Sequence, residues 1–569
     1  MSNFYNESRQ FHLNNINFEE IIADLEDNFQ GQSGDDFQSV EEARTWYEMV
    51  LRNGGQICDE FIAPRATAVD EKGASFDQGV VFWAEETREN MKVLAQAGFM
   101  GGTLPRQYGG LNLPNTVNNV MVEMVSQADA SLMNLYGLQD IAVTIWKYGS
   151  DEQKRRILPL FASGEVSGSM ALTEPDAGSD LQVVELKATE KDGKWYLDGV
   201  KRFITNGCGE ISLVLARSEA DSRGGRGLSL FLYDRTRDSN MIVRRIEHKL
   251  GIHGSPTCEL QFNMAEAELV GRRKFGLIKY TMSLMNGARL AVSFQALGIA
   301  QAAYEEALKY ANEREQFGQK IIHFPAIYQM MMNMLAEIET TRALLMHTSL
   351  IIDYLDMYER KEAEGKPVKD EVKKYSVQAG FLTPLSKFTA TEMANQVAYN
   401  ALQVHGGCGY MKDFPIERLY RDARITNIYE GTTQLQIIAT IGAITSFTLN
   451  TEWDRFRAVE TEIYGAEKKD ILLLIDDLNH QVDYLKKLNS KEIIDFCANH
   501  LVEAVSYLYR MTLYLPVAES NESRREIFRF FYLSSSQKVA SLLQFIREIA
   551  DQYGADIDTL KKPFLNIKH

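Results

Sequence analysis

A single interruption of a helical pattern constrains this chain of 569 residues more than any other feature. From about residue 40 to 162, and again from about 278 onward, apolar residues recur at the spacing of amphipathic helices. Between about 166 and 270 the spacing changes to short β-type runs, and no helix-length pattern separates them. We therefore predict an α+β protein, mostly α, with an antiparallel β module between two helical regions.

The pattern predicts the domain organisation. We expect an N-terminal arm and linker at 1–38, an N-terminal helical domain at 39–165, a middle β domain at 166–275, a C-terminal helical bundle at 276–446 and an additional helical domain at 447–569. Asp192-Gly193 predicts a hairpin turn inside the β domain. The mixed-charge stretch 359–374 predicts a solvated loop between two helices of the bundle.

Composition excludes several classes of function. The formal charge of −17 disfavours a nucleic-acid-binding protein, which needs a basic surface. The sequence contains no run of about 18 apolar residues, so we predict no membrane span. The N-terminus has neither the basic start nor the apolar core of a secretory signal. The five cysteines are far apart and form no C-x-x-C pair, so we expect a reduced, cytoplasmic protein without disulfide or metal.

The turn at 428–434, Ile-Tyr-Glu-Gly-Thr-Thr-Gln, carries the strongest chemical signal. It places Glu430 between the end of one predicted helix and the start of another, which Thr432 or Thr433 could cap through its hydroxyl. A carboxylate held there loses solvation, which raises its pKa toward the range of a general base. The alternative is an ordinary acidic residue favoured by the dipole of the following helix.

Further motifs suit a ligand with phosphate and ring groups. They are the loop 170–180, the strand end 203–207, the helix end 312–318 and the glycine-rich turn 403–410. Gly178 lets backbone N–H groups approach a ligand, and Arg314 can hold a phosphate with two hydrogen bonds. The ordinary alternatives are a connecting loop, strand packing, a surface cation and a helix end. Neither a Rossmann fingerprint nor a P-loop is present.

These motifs, taken in order over residues 40–446, resemble the acyl-CoA dehydrogenase family of flavoproteins. The matching runs are 108–110, 172–180, 203–207, 313–318, 403–407 and 429–434. The resemblance implies a helical domain, a β domain and a helical bundle, in agreement with the periodicity. The extra C-terminal part is similar to that of the longer members, such as very-long-chain enzymes and long bacterial homologues.

The resemblance also implies a set of site residues. It makes Glu430 the catalytic base. It places FAD against Met170, Leu172, Thr173, Gly178, Ser179, Phe203, Thr205, Thr432 and Gln434, with Arg314, Gln316, Gln403, Gly406 and Gly407 reaching the FAD of a partner subunit. It places the acyl-CoA substrate against Ser179, Asn286, Arg289, Tyr429 and Gly431. Some members carry the base on an earlier helix, where this chain has Ala288, which cannot accept a proton.

The implied reaction is α,β-desaturation of an acyl-CoA thioester to the trans-2-enoyl-CoA, a step of fatty-acid β-oxidation. The family usually passes the electrons to electron-transferring flavoprotein, and its members are homodimers or homotetramers. Phe203 stands where many members have tryptophan. Phenylalanine keeps the stacking surface but lacks the indole N–H. Two alternatives stay open: an acyl-CoA oxidase that reduces oxygen, and a flavin-binding scaffold without catalysis.

Overall fold

The computed structural model describes residues 4–30, 37–222, 224–554 and 556–565. The glycine-rich run 31–36, predicted as a linker, lies outside these ranges. The helices of the first half are α1 (Glu7–Asn14), α2 (Glu19–Leu25), α3 (Val40–Ile57), α4 (Ala66–Lys72), α5 (Glu85–Gln96), α6 (Asn115–Ala128), α7 (Ala130–Tyr136), α8 (Ile141–Tyr148) and α9 (Asp151–Ser163). A short hairpin of β1 (Ser75–Asp77) and β2 (Val80–Phe82) interrupts them.

The N-terminal segment is more ordered than its composition indicates. Its two helices, α1 and α2, insert Leu13, Ile21 and Ile22 into the same apolar core as α3 and α6. Arg9 of α1 is buried and pairs with Glu123 of α6 at 2.8 Å. A few large apolar side chains therefore anchor a segment that is otherwise polar, and hydrophobic periodicity is too weak over such short helices to reveal them.

The middle domain is a sheet of seven strands. They are β3 (Gly168–Ala171), β4 (Lys187–Lys191), β5 (Lys194–Thr205), β6 (Ile211–Arg217), β7 (Leu228–Asp234), β8 (Met241–Ile246) and β9 (Thr257–Val270). All its pairings are antiparallel except those of β6 with β3 and with the end of β4. The predicted hairpin is confirmed: Asp192 and Gly193 join β4 to β5, both with positive φ.

The C-terminal bundle is built on three long helices. Its elements are α10 (Met282–Glu313), β10 (Glu315–Gln316), β11 (Gln319–Lys320), α11 (Pro325–Ala363), α12 (Lys369–His405), α13 (Ile416–Thr426) and α14 (Thr433–Thr445). The predicted loop over 359–374 is present but shorter than expected, because α11 continues to Ala363 and α12 begins at Lys369, so that only 364–368 connect the two helices. Most of the charged residues in that stretch lie on the solvated faces of the helix ends. Such a face has a composition similar to that of a loop.

The residues after the bundle form helices that share a core with it. They are α15 (Asn450–Ala458), α16 (Gly465–Lys487), α17 (Lys491–Ser520), α18 (Arg525–Tyr553) and α19 (Lys562–Leu565). Trp453 and Leu508 of this C-terminal extension belong to one apolar cluster with Leu382 and Leu385 of α12. Across the described ranges, no helix has the length and apolar character required to cross a membrane.

Candidate active site

The turn between α13 and α14 holds Glu430 in an uncommon backbone conformation. Glu430 has φ 52° and is followed by Gly431 with φ 91°. A side chain with a Cβ in the left-handed region costs energy, and such strain concentrates at functional sites. Side chains from neighbouring helices hold the turn: Lys387 Nζ donates to the Gly431 carbonyl at 2.6 Å, and Gln436 Nε2 donates to the same oxygen at 2.8 Å.

The expectation that a threonine hydroxyl caps α14 is wrong. Thr432 occupies the N-cap position, but its side chain makes no capping hydrogen bond. The hydroxyl of Thr433 donates instead to the carboxylate of Glu392 on α12. The turn is therefore attached to the neighbouring helix α12 as well as to α14, the helix that follows it.

A cavity of about 140 Å³ lies between this turn, the β domain and helices α7 and α10. It brings together these predicted site residues: Met170, Leu172, Thr173, Gly178, Phe203, Thr205, Tyr429, Glu430 and Gly431. Its remaining wall is formed by Met133, Asn134, Gly137, Leu138, Leu181, Ile204, Met285, Ala288, Ala291 and Val292. Ala288, at the position of the alternative base, therefore shares one cavity with Glu430.

The Glu430 carboxylate is buried beside two cations. Burial raises its pKa above the ordinary value, and the nearby cations of Lys387 and Arg289 oppose that rise. Within the described residues, its carboxylate forms no hydrogen bond and no ion pair, and its backbone N–H donates no hydrogen bond. Glu430 therefore combines a carboxylate of raised pKa with a backbone N–H that has no partner among the described residues.

Lys387 is a buried cation that the sequence motifs did not reveal. Its side chain lies in the core of the bundle, where burial lowers its pKa to about 7 while Glu430 raises it. It directs its ammonium at the Gly431 carbonyl. A single lysine inside the otherwise uncharged stretch 379–391 of a helix is the sequence signal that could have marked it.

The opposite wall of the cavity comes from the β domain, and a buried ion pair sets its shape. Lys201 on β5 donates to Glu174 and to the Leu172 carbonyl, both at 2.8 Å. Glu174 in turn accepts from the backbone N–H of Glu185 at 2.7 Å. The loop that contains Thr173 is therefore tied to the sheet from both sides.

This wall fits the ring system of a flavin. Leu172 and Phe203 offer an apolar surface, and Phe203 is 54 % exposed. Beside them lie Thr173 and Thr205, whose hydroxyls have no hydrogen-bond partner within the described part of the chain. A flat ligand with an apolar face and a polar edge matches these groups.

Several predicted site residues lie outside the cavity. Arg289 is just behind it, where Nε donates to the Glu430 carbonyl at 3.4 Å and Nη1 donates to Asn286 Oδ1 at 3.2 Å. Ser179 is exposed on the loop after Gly178. Thr432 and Gln434 line a separate groove of about 990 Å³ between the bundle and the C-terminal extension.

The residues predicted to reach a partner's cofactor are gathered on one exposed surface at the ends of α10 and α12. They are Arg314, Gln316, Gln403, Gly406 and Gly407. The two helix ends meet where the rings of Tyr310 and His405 lie 4.5 Å apart, so His405 packs against an aromatic ring as expected for a helix-end histidine. Phe317, beside Gln316, is 94 % exposed.

Comparison with known proteins identifies the family. Models of the N-terminal, middle and C-terminal domains of acyl-CoA dehydrogenases match residues 46–165, 169–265 and 278–443. The 3-methylmercaptopropionyl-CoA dehydrogenase of Ruegeria pomeroyi is 35 % identical over 433 residues, 70 % of this chain and 71 % of that protein. The chain belongs to the acyl-CoA dehydrogenase family, whose members are FAD-dependent oxidoreductases acting on CH–CH groups of acyl-CoA thioesters.

Solved structures extend the comparison. A chain in the structure of the electron transferring flavoprotein of Acidaminococcus fermentans is 33 % identical, with a TM-score of 0.61 over 70 % of this chain and 97 % of that one. The acyl-CoA dehydrogenase of Bacillus anthracis complexed with FAD is 22 % identical, with a TM-score of 0.77 over 91 % of this chain and 90 % of that one. The second match shares the fold, including most of the C-terminal extension.

Proposed function

We propose that this protein desaturates an acyl-CoA thioester to the trans-2-enoyl-CoA with Glu430 as the base. The observation that carries the proposal is the Glu430 carboxylate, which has no partner among the described residues and whose pKa is raised by burial. It lines the same cavity as the flavin-compatible wall. A thioester between the two would present its α-carbon to Glu430. Proximity of this kind removes most of the entropic cost of bringing base and carbon acid together.

Proton removal from the α-carbon places negative charge on the thioester oxygen, which needs hydrogen-bond donors. The open backbone N–H of Glu430 is such a donor on this chain. FAD held against Leu172, Thr173 and Phe203 would supply the acceptor for the hydride that leaves the β-carbon. The cavity wall also has to position the thioester. Leu172, Met285 and Val292 form an apolar part of that wall and would exclude water from the reacting atoms.

The oligomer we propose is a homodimer or homotetramer in which the exposed surface around Arg314 and Gln316 contacts the FAD of a second copy. A guanidinium that is exposed in one chain and close to a glycine-rich turn suits a diphosphate bound between chains. Thr432 and Gln434 would complete the FAD site from the chain that supplies Glu430.

The test is an anaerobic titration of the FAD-loaded protein with acyl-CoAs from short to long, including branched and aromatic ones. We expect the visible flavin band to bleach with one class of thioester. A band that no thioester alters would refute the proposed reaction. Adding oxygen or electron-transferring flavoprotein to the bleached protein then identifies the acceptor: rapid peroxide formation would mean an oxidase, and fast reoxidation only by the flavoprotein is the result we expect.

A further inference from the structure

One part of the cavity wall is polar, although most of the wall is formed by apolar side chains. Asn134 of α7 lines the cavity and is 6 % exposed. Gln295 of α10 is fully buried behind it. The hydroxyl of Tyr429, the residue before the base, donates to Gln295 Oε1 and lies 3.2 Å from Asn134 Oδ1. Three polar side chains from three separate elements thus meet in one cluster.

The hydrogen bonds of this cluster determine which way each amide points. Gln295 Nε2 donates to the Ala130 carbonyl and to Asn134 Oδ1, both at 2.9 Å. If the Asn134 amide were reversed, its Nδ2 would face Gln295 Nε2, and two donors would oppose each other. Gln295 cannot reverse either, because its Oε1 would then face the Ala130 carbonyl.

Asn134 Nδ2 is consequently the one polar atom of the cluster that lacks a partner among the described residues. It is a buried donor that makes no hydrogen bond within the described part of the chain. Leaving a buried amide donor unpaired costs about 1–3 kcal/mol. Because Asn134 lines the cavity, a ligand there that accepts a hydrogen bond from its amide would be favoured. None of the described residues lining the cavity is a lysine, arginine or histidine, so a charged acceptor would lack a counter-ion.

We propose that the acyl group of the substrate carries an uncharged hydrogen-bond acceptor beyond its β-carbon, such as an ether or carbonyl oxygen, and that Asn134 Nδ2 recognises it. The inference rests on the proposed function, because it assumes that the acyl group occupies this cavity. Asn134 is then a specificity-determining residue. Gln295 and Tyr429 are positioning residues that orient its amide.

The test compares hexanoyl-CoA with the isosteric ethers in which an oxygen replaces each methylene beyond the β-carbon in turn. Binding is measured by the shift of the flavin spectrum in FAD-loaded Glu430→Gln, so that no thioester is consumed. We expect one ether to bind about tenfold or more tightly than hexanoyl-CoA. If none of the ethers binds more tightly than hexanoyl-CoA, the inference is overturned. The Asn134 amide would then donate its hydrogen bond to water and not to the acyl group.

A double variant locates the preference. Adding Asn134→Leu to Glu430→Gln should abolish or reverse the preference for the ether, whereas adding Asn90→Leu should keep it. Asn90 is also buried, but it lies on α5 and accepts from Arg65. An ether preference that survives Asn134→Leu would also overturn the assignment. Failure of the proposed desaturation can be recognised separately. In that case none of these thioesters would bleach the flavin band of the wild-type protein.

Discussion

The ammonium group of Lys387 lies 2.6 Å from the carbonyl oxygen of Gly431, the residue that follows the proposed base. Lys387 therefore holds the turn and places a cation beside Glu430 at the same time. Burial raises the pKa of Glu430, and Lys387 is the first of two cations that limit the rise. The balance decides how much of the base is deprotonated at a given pH.

Replacing Lys387 by methionine should shift the pH dependence of flavin bleaching. Without the cation, the pKa of Glu430 rises further, because only Arg289 then opposes the effect of burial. The base is active when deprotonated, so the acidic limb of the bleaching rate should move to higher pH. The matched control is Lys373→Met, at an exposed lysine of the same helix. An acidic limb at the wild-type position in Lys387→Met would show that the cation does not act on the base.

Arg342 should be among the most costly side chains to remove. It is buried and bonds to Glu339 at 2.5 Å and to Glu123 at 2.9 Å. Arg342→Met leaves both carboxylates with fewer partners, and breaking a buried pair costs about 3–5 kcal/mol of unfolding free energy. Urea denaturation measures the loss. The control Arg52→Met removes an exposed pair with Glu48 and should cost about 0–1 kcal/mol; equal losses in both variants would contradict this account.

The same cluster predicts acid sensitivity. Burial alone would raise the pKa of Glu339, but Arg342, His12 and Arg524 together hold it well below the ordinary value. A carboxyl group with a depressed pKa in the folded state stabilises above its unfolded pKa of about 4.3 and loses that contribution as pH falls below it. The unfolding free energy should therefore fall progressively as the pH drops from about 5 to well below 3. Glu339→Gln should show a shallower fall, and an unchanged slope would exclude this carboxyl group as the source.

The C-terminal extension should unfold together with the bundle. Leu385 of α12 and Trp453 of the extension lie in one buried apolar cluster, so neither part can lose its core alone. Calorimetry should show one transition for both, and Leu385→Ala should lower its free energy by about 2–5 kcal/mol. Leu473→Ala, at an exposed position, is the control. A separate transition for residues 447–569 would show instead that the extension is an independent unit.

The sequence was informative where chemistry depends on neighbours along the chain. The turn around Glu430 and the loop around Thr173 are local motifs, so their residue types were sufficient to mark them. The β domain was visible because the apolar period changes from helical to alternating. The family resemblance added which motifs belong to one site, which periodicity alone does not reveal.

The rest depends on packing between distant elements. Asn134, Gln295 and Lys387 lie on three different helices and come together only because α7, α10 and α12 pack against the same turn. Each is an ordinary polar residue in its own helix. The loop predicted over 359–374 was too long for a related reason, because charged residues at a helix end and in a loop have the same composition.

The proposed role of Glu430 is tested most directly by the anaerobic bleaching rate of FAD-loaded Glu430→Gln with the acyl-CoA that bleaches the wild type fastest. Glutamine keeps the size of the side chain and removes its basicity. We expect the variant to keep its flavin spectrum and bind the thioester, with bleaching slowed by about 10²–10⁴-fold, and we expect the control Glu371→Gln on α12 to bleach like the wild type. Bleaching of Glu430→Gln at close to the wild-type rate would contradict the assignment of Glu430 as the base.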